Sequence, residues 1–311
     1  LIDPEPRRSK AYLILKLARL HFLIPGFLLY LLGFLFGALR GGMTDVGVFI
    51  FGYSIFWAAH LSLSFSNDYF DREGDRLGKS SALSGGSGVL VEHRELERFA
   101  LLTALGLLLG SVALAGAFTW AYSYPISFFY FSVAGAIIGW FYSAPPLRLS
   151  SNGLSELTTS FASGFMMPGM GYFVSFGGID PWFILLSLPI MCFTFFFIIT
   201  VEMPDVEADL LAKKRNLLTD HGRRFGVLAS LLFTTAGMLS LLALAALDAL
   251  GNKALFLWLS VFAIFPFLGA ASGLFNRLST PKEIYRQTKI NFASLIIFML
   301  CADAYLLLPW I

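Results

Sequence analysis

Charge is scarce in this chain. Asp, Glu, Lys and Arg make up only 14% of its 311 residues, while 57% are hydrophobic. A soluble domain carries roughly 25% charged residues, so a chain exposed mainly to water is excluded and a polytopic membrane protein is implied. Cysteine is nearly absent: Cys192 and Cys301 both lie inside apolar runs, read as small buried hydrophobes and say nothing about redox compartment. His93 and His221 show no metal-ligand spacing. There is no low-complexity tract and no strong short-period repeat. The Gly85-Gly86-Ser87-Gly88 run lacks the following Lys-Ser/Thr of a phosphate loop, which excludes a nucleotide-binding P-loop. The net charge of +2 is uninformative by itself, and no nucleic-acid partner is expected.

What is there is a series of apolar segments, at about 13–39, 46–66, 97–119, 122–141, 154–176, 180–201, 224–247, 253–275 and 288–309. Each can cross a hydrocarbon core of about 30 Å. They lack the alternation of barrel strands, and lipid leaves only helices to satisfy the backbone. The expected fold is all-α: one domain over residues 1–311, with nine transmembrane helices. Ser123-Tyr124-Pro125 and Gly177-Gly178-Ile179-Asp180-Pro181 read as turns. With nine crossings, all but two of the 22 basic residues, Arg40 and Lys253, fall on one side. The positive-inside rule makes that side, with the N-terminus, cytoplasmic in a cell membrane. The chain starts at Leu1 without a Met, so a few residues are expected to be missing before it or replaced. The first apolar segment is too long for a signal-peptide core and no small-residue cleavage pattern follows it.

The sparse acids are clustered. Residues 67–75 read Asn-Asp-Tyr-Phe-Asp-Arg-Glu-Gly-Asp and follow the second apolar segment. Asp68, Asp71 and Asp75 are spaced i, i+3, i+7 and share one helix face. Glu202, Asp205 and Asp209 repeat that spacing after the sixth segment. Carboxylates gathered this way repel one another unless a cation joins them. Oxygen-only ligands suit Mg²⁺, which takes its remaining ligands from phosphate and water. Two such clusters at one membrane depth can face each other across a cavity and hold a diphosphate, with basic residues on its other oxygens. A diphosphate ester whose tail lies in the bilayer points to an isoprenyl diphosphate such as geranyl or geranylgeranyl diphosphate. Its allylic C–O bond ionises when charge on the leaving group is neutralised, and a dry, aromatic-rich cavity protects the cation.

These residues resemble the UbiA superfamily of intramembrane aromatic prenyltransferases. Asn67, Asp68, Asp71 and Asp75 match its first motif, N-D-x-x-D-x-x-x-D. Asp205 and Asp209 match its second, D-x-x-x-D. Tyr142-Ser143-Ala144-Pro145-Pro146-Leu147-Arg148 is similar to its Tyr-Ser/Thr-x-x-P-x-Lys/Arg loop. The three motifs, in order, cover nearly the whole chain. The resemblance implies nine helices around a central cavity with a cytoplasmic cap. It implies Mg²⁺ held by Asn67, Asp68, Asp71, Asp75, Asp205 and Asp209, and diphosphate contacts from Asn67, Tyr142, Arg148 and Lys213. Some relatives carry an Arg two turns before the motif Asn; here His60 holds that position and is the corresponding candidate.

Many relatives also have Asp-Arg/Lys-x₅-Arg-Pro after the first motif. Here Gly85-Gly86-Ser87-Gly88-Val89-Leu90 stands instead and resembles the menaquinone-pathway branch, as does Asp205-Val-Glu-Ala-Asp209 followed by Lys213-Lys214. The implied activity is prenylation of an aromatic quinone precursor, with dihydroxynaphthoate favoured, in contact with membrane lipid. A glycerol-phosphate lipid acceptor, giving an ether, is the nearest rival. A cation-coupled transporter is the reading from another class, disfavoured because coupling acids usually lie near the bilayer midplane. Glu202 is open between metal support and an ion pair, Arg72 and Glu73 read as salt-bridging or capping residues, and Asp303 has no readable partner. No general base for the acceptor is visible.

Overall fold

The computed structural model describes residues 9–77, 86–248 and 251–310. Among the described residues the architecture is all-α, with one isolated bridge between Asn152 and Arg215. Eight spans among the described residues are long and apolar enough to cross a membrane, and the chain is an integral membrane protein. The first combines α1 (Lys10–Ala18) and α2 (Leu23–Leu39). The next are α3 (Val46–Asp75), then α5 (Glu97–Ala121), which a single-turn α4 (Val89–Glu92) precedes, and α6 (Ile126–Ser143).

The expected segment 154–176 is helical but interrupted: α7 (Ser155–Phe161), a π turn at Ala162–Met166, and α8 (Met167–Phe176). The interruption sits where Pro168 has no N–H for an i→i−4 bond, so the preceding turn widens. The remaining spans are α9 (Pro181–Glu202) continuing into α10 (Val206–Leu211), α11 (Leu217–Ala246), α12 (Lys253–Phe262) with α13 (Ile264–Ser272), and α14 (Pro281–Leu307).

Local chemistry sets these boundaries. Asp45 caps α3, its Oδ1 accepting from Val48 N at 2.8 Å. Asp180 caps α9 ahead of Pro181, the position where proline's missing donor costs nothing. Asn216 with Thr219, and Thr280 with Glu283, form reciprocal capping boxes that start α11 and α14 seven residues before the expected apolar runs. The expected span 46–66 likewise continues as one helix to Asp75, so the first acidic motif rides on its last turns.

Two apolar cores flank the α2–α8 pair. One joins α2 to α9, α11, α12 and α14 through residues such as Phe36, Phe196, Phe256 and Phe298. The other joins α2 and α8 to α3, α5 and α6 through Tyr30, Ile55, Phe118, Phe128 and Phe173. Backbones of α2 and α8 nearly touch: a Cβ on Gly171 would lie 1.9 Å from the Tyr30 carbonyl oxygen. Small residues permit such approach where lipid gives helices no hydrophobic reason to associate.

A buried polar ladder fastens α14 to its neighbours. Gln287 Nε2 donates to the Gly269 carbonyl (3.0 Å) and to Asn291 Oδ1 (2.8 Å). Asn291 Nδ2 donates to Thr200 Oγ1 (3.2 Å), two residues before Glu202.

Candidate active site

The last turns of α3 carry Asn67, Asp68, Asp71 and Asp75 on one face, as their spacing requires. Asp68 is only 2% exposed. Its carboxylate accepts from the Ser87 N–H at 3.1 Å and from the Ser87 hydroxyl. Asp75 Oδ1 accepts from Gly86 N at 3.3 Å. Only glycine allows that approach, since a Cβ at residue 86 would fall 1.8 Å from Asp75 Oδ2. Ser143, at the end of α6, donates to Asn67 Oδ1 at 2.8 Å and lies 3.3 Å from Asp71 Oδ2. Gly85 of the glycine run lies outside the described residues. Arg72 and Glu73 point off the acidic face into ion pairs with Glu97 and Arg76.

The second cluster closes α9. Glu202 is its last residue, Asp205 ends the 3₁₀ turn Met203–Asp205, and Asp209 lies on α10. Asp209 Oδ2 accepts from Asn216 Nδ2 at 3.1 Å. Lys214 joins the clusters, its Nζ 3.6 Å from Asp71 Oδ2 and 3.7 Å from Asp209 Oδ1. Burial pushes the Lys214 ammonium down, but Asp71, Asp209, Asp75 and Asp205 more than offset this and hold its pKa above the ordinary value. The loop after α6 is laced to the loop after α10 by Gly153 N donating to Arg215 O (2.9 Å) and Arg215 N to Ser151 O (3.0 Å).

These groups surround one cavity of about 310 Å³. Asn67, Asp68, Asp71, Asp75, Asp205, Asp209, Tyr142 and His60 all line it; Arg148 and Lys213 do not. Arg148 (φ 42°) and Lys213 (φ 57°) stand exposed in left-handed loop positions. There the chain reverses, and the residues one or two further on, Ser150 and Lys214, enter the wall instead. The far part of the cavity is apolar, walled by Leu29 and Leu32 of α2, Phe193 and Phe197 of α9, and Leu295 and Phe298 of α14. His60 lies seven residues before Asn67, about 10 Å along the helix. It also borders a side pocket of about 80 Å³ lined by Phe131, Met166 and Met170. Tyr142 accepts at its hydroxyl from Thr159 Oγ1 (3.2 Å).

The donor set suits a hard divalent cation. Six carboxyl groups line the cavity, counting Glu202, against Lys214 and Arg19. Among the described residues no three acidic, His or Cys side chains group tightly enough to enclose an ion alone. Mg²⁺ binds through one or two carboxylates and fills its shell from phosphate and water.

Sequence reasoning missed several residues. Arg19, counted there only as a topological charge, lines the cavity from the left-handed break between α1 and α2; a cation inside an apolar run was the available signal. Ser143 holds the Ser/Thr position of the loop motif and Ser87 lies in the glycine run, but neither was singled out as a site residue. Glu156, an acid just inside an apolar segment, went unremarked and is 3% exposed. Asp303 is buried, with neither carboxyl oxygen bonded among the described residues, and does not line the cavity.

A family model described as the UbiA prenyltransferase family matches residues 18–301. No curated protein matches the sequence. Among solved structures, a UbiA homologue from Archaeoglobus fulgidus bound to GPP and Mg²⁺ superposes with a TM-score of 0.67 at 18% identity, covering 93% of this chain and 99% of that one. A digeranylgeranylglyceryl phosphate synthase structure gives 0.63 at 15% identity over 96% and 98%. The apo UbiA homologue from Aeropyrum pernix K1 gives 0.64 at 17% identity over 88% and 95%. At these identities the likeness is one of fold.

Proposed function

The chain belongs to the UbiA prenyltransferase family, and from that premise we propose that it moves an isoprenyl group from an allylic diphosphate to an aromatic quinone precursor within the membrane. The observation that carries this is a single cavity, acidic at one end and apolar at the other. A geranyl or geranylgeranyl diphosphate has the matching division, an anionic head that binds through Mg²⁺ and a hydrocarbon tail.

In this reading Asp68, Asp71, Asp75, Asp205 and Asp209, with Asn67, hold the metal–diphosphate head. Bound Mg²⁺ supplies neutralisation of the charge that builds on the departing diphosphate. Lys214 and Arg19 take the diphosphate contacts assigned from sequence to Lys213 and Arg148, because among the described residues they are the Lys and Arg that line the wall. Ser87, Gly86 and Ser143 orient the carboxylates, as outer partners of metal ligands do. The apolar walls seat the tail and exclude water from the allylic cation. The glycine run after the first motif supports dihydroxynaphthoate as acceptor. The distribution of basic residues supports a cytoplasmic N-terminus and acidic end, and the helical Ser155–Phe176 segment serves as the ninth crossing.

The test is product analysis. Protein in lipid nanodiscs receives Mg²⁺, a C10–C20 allylic diphosphate, and dihydroxynaphthoate, 4-hydroxybenzoate or geranylgeranylglyceryl phosphate. Mass spectrometry is expected to find prenylated dihydroxynaphthoate, lost with EDTA and reduced at least about a hundredfold in Asp68→Ala. Product only from the glycerol lipid would replace the acceptor, and no Mg²⁺-dependent turnover of any donor by folded protein would refute the reaction.

A further inference from the structure

The donor chemistry above makes no use of Glu202. This side chain lines the cavity, is 9% exposed, and its Oε2 has no hydrogen-bond partner among the described residues. An unpartnered buried oxygen is costly unless a bound molecule supplies the donor. Ser150 Oγ, another polar atom lining this cavity, is unpartnered as well. Both belong to the wall around Tyr142, which Thr159 holds by its hydroxyl.

Behind Glu202 stands Glu156, within hydrogen-bond reach of it. Ser155 Oγ donates to Glu156 Oε2 at 3.0 Å and Leu217 N to Glu156 Oε1. The free oxygen of Glu202 is thus left for a donor that only a bound molecule in the cavity supplies. Asp209 is the next acid facing it.

We propose that Glu202 is the catalytic residue that takes the proton of the acceptor substrate, with Glu156 as its positioning residue. The proposal rests on the prenyl-transfer reading. As the donor C1–O bond breaks, diphosphate leaves with the electron pair. The acceptor hydroxyl gives its proton to Glu202, and the electron pair so freed forms the new bond to C1. For an aromatic acceptor that bond forms at a ring carbon, whose hydrogen then moves to the oxygen. Acceptor and donor thus yield prenylated acceptor, diphosphate and one proton, which Glu202 returns to water.

Glu202→Gln keeps the shape and removes the proton site. In nanodiscs, Mg²⁺-dependent binding of geranyl thiolodiphosphate, an unreactive donor analogue, is expected to stay within about twofold, while transfer to the best wild-type acceptor falls about a hundredfold. Fluorinated acceptors, whose hydroxyl ionises more easily, should lose at least tenfold less, and Glu202→Asp should be intermediate. Glu156→Gln should lower kcat less than Glu202→Gln and leave the acceptor KM unchanged. The proposal is overturned by an unchanged rate in Glu202→Gln, by analogue binding that weakens as much as the rate (making Glu202 part of the donor site), by equal losses for parent and fluorinated acceptors, or by equal losses in the two glutamine variants. Failure of the wild type to bind the analogue would overturn the prenyl-transfer reading itself, and with it this one.

Discussion

Lys214→Met keeps the length of the side chain and deletes the charge that joins the two acidic clusters. The ammonium lies 3.6 Å from Asp71 and 3.7 Å from Asp209. At an effective dielectric constant of about 20, each attraction is roughly 4–5 kcal/mol. Those values do not add to a stability, because Lys214 surrendered most of its hydration, with 19% of its side chain exposed, and its two partners repel each other. Removing one member of a buried pair typically costs about 3–5 kcal/mol, and the residual exposure argues for the lower end, about 3 kcal/mol. At an unfolding entropy of about 2.1 cal/mol/K per residue, that is a fall of roughly 4–5 °C in melting temperature for a chain of this size. The deficit should appear in EDTA and shrink by at least half in saturating Mg²⁺, which can take the vacated place between the same carboxylates. Tryptophan-fluorescence melting in nanodiscs, with both proteins in both conditions, reads it out. An equal deficit with and without Mg²⁺, or none in EDTA, would refute the reasoning.

The same lysine sets a pH dependence. Its pKa is raised from an ordinary 10.5, so its stabilisation is complete below that pH and is lost as pH climbs through the higher folded value. The melting-temperature difference between wild type and Lys214→Met should be flat from pH 7 to 10 and narrow above. Ser87→Ala removes the hydroxyl that donates to Asp68; the Mg²⁺ concentration for half-maximal activity should rise about tenfold or more, with kcat at saturation little changed in a Mg²⁺ titration. Gly171→Ala forces a methyl against the Tyr30 carbonyl. It should cost at least about 1–3 kcal/mol, seen as a lower melting temperature; an unchanged one would mean that α2 and α8 separate freely.

Most of the membrane architecture was legible because lipid imposes one rule, long apolar runs folded as helices. The i, i+3, i+7 acids were legible for the same geometric reason, and α3 does carry them on one face. Helix starts were less so: α11 and α14 begin at polar capping boxes, outside any hydropathy signal. The π turn before Pro168 was hidden because proline marks a break without saying how the backbone will absorb it. The cations that line the cavity, Lys214 and Arg19, are not the ones assigned from sequence. A left-handed residue in a loop reverses the chain, so Lys213 and Arg148 face out while Lys214 and Ser150 face in. Neither spacing nor motif carries that information. Glu156 escaped because its significance lies in a partner, Glu202, brought near only by the packing of α7 on α9.

The ladder of Gln287, Asn291 and Thr200 bears on how the chain is assembled. Helices enter a bilayer in order, and a purely apolar face slides along or rotates against its neighbour at little cost. The amide and hydroxyl pairs of α14 match α9 and α13 at one depth and one rotation only, because a shift of a single residue leaves several of them facing hydrocarbon. A helix made late thus works as a gauge, checking the vertical placement of a helix made earlier. Since Thr200 lies just ahead of Glu202, what it gauges is the height at which the second acidic cluster meets the first.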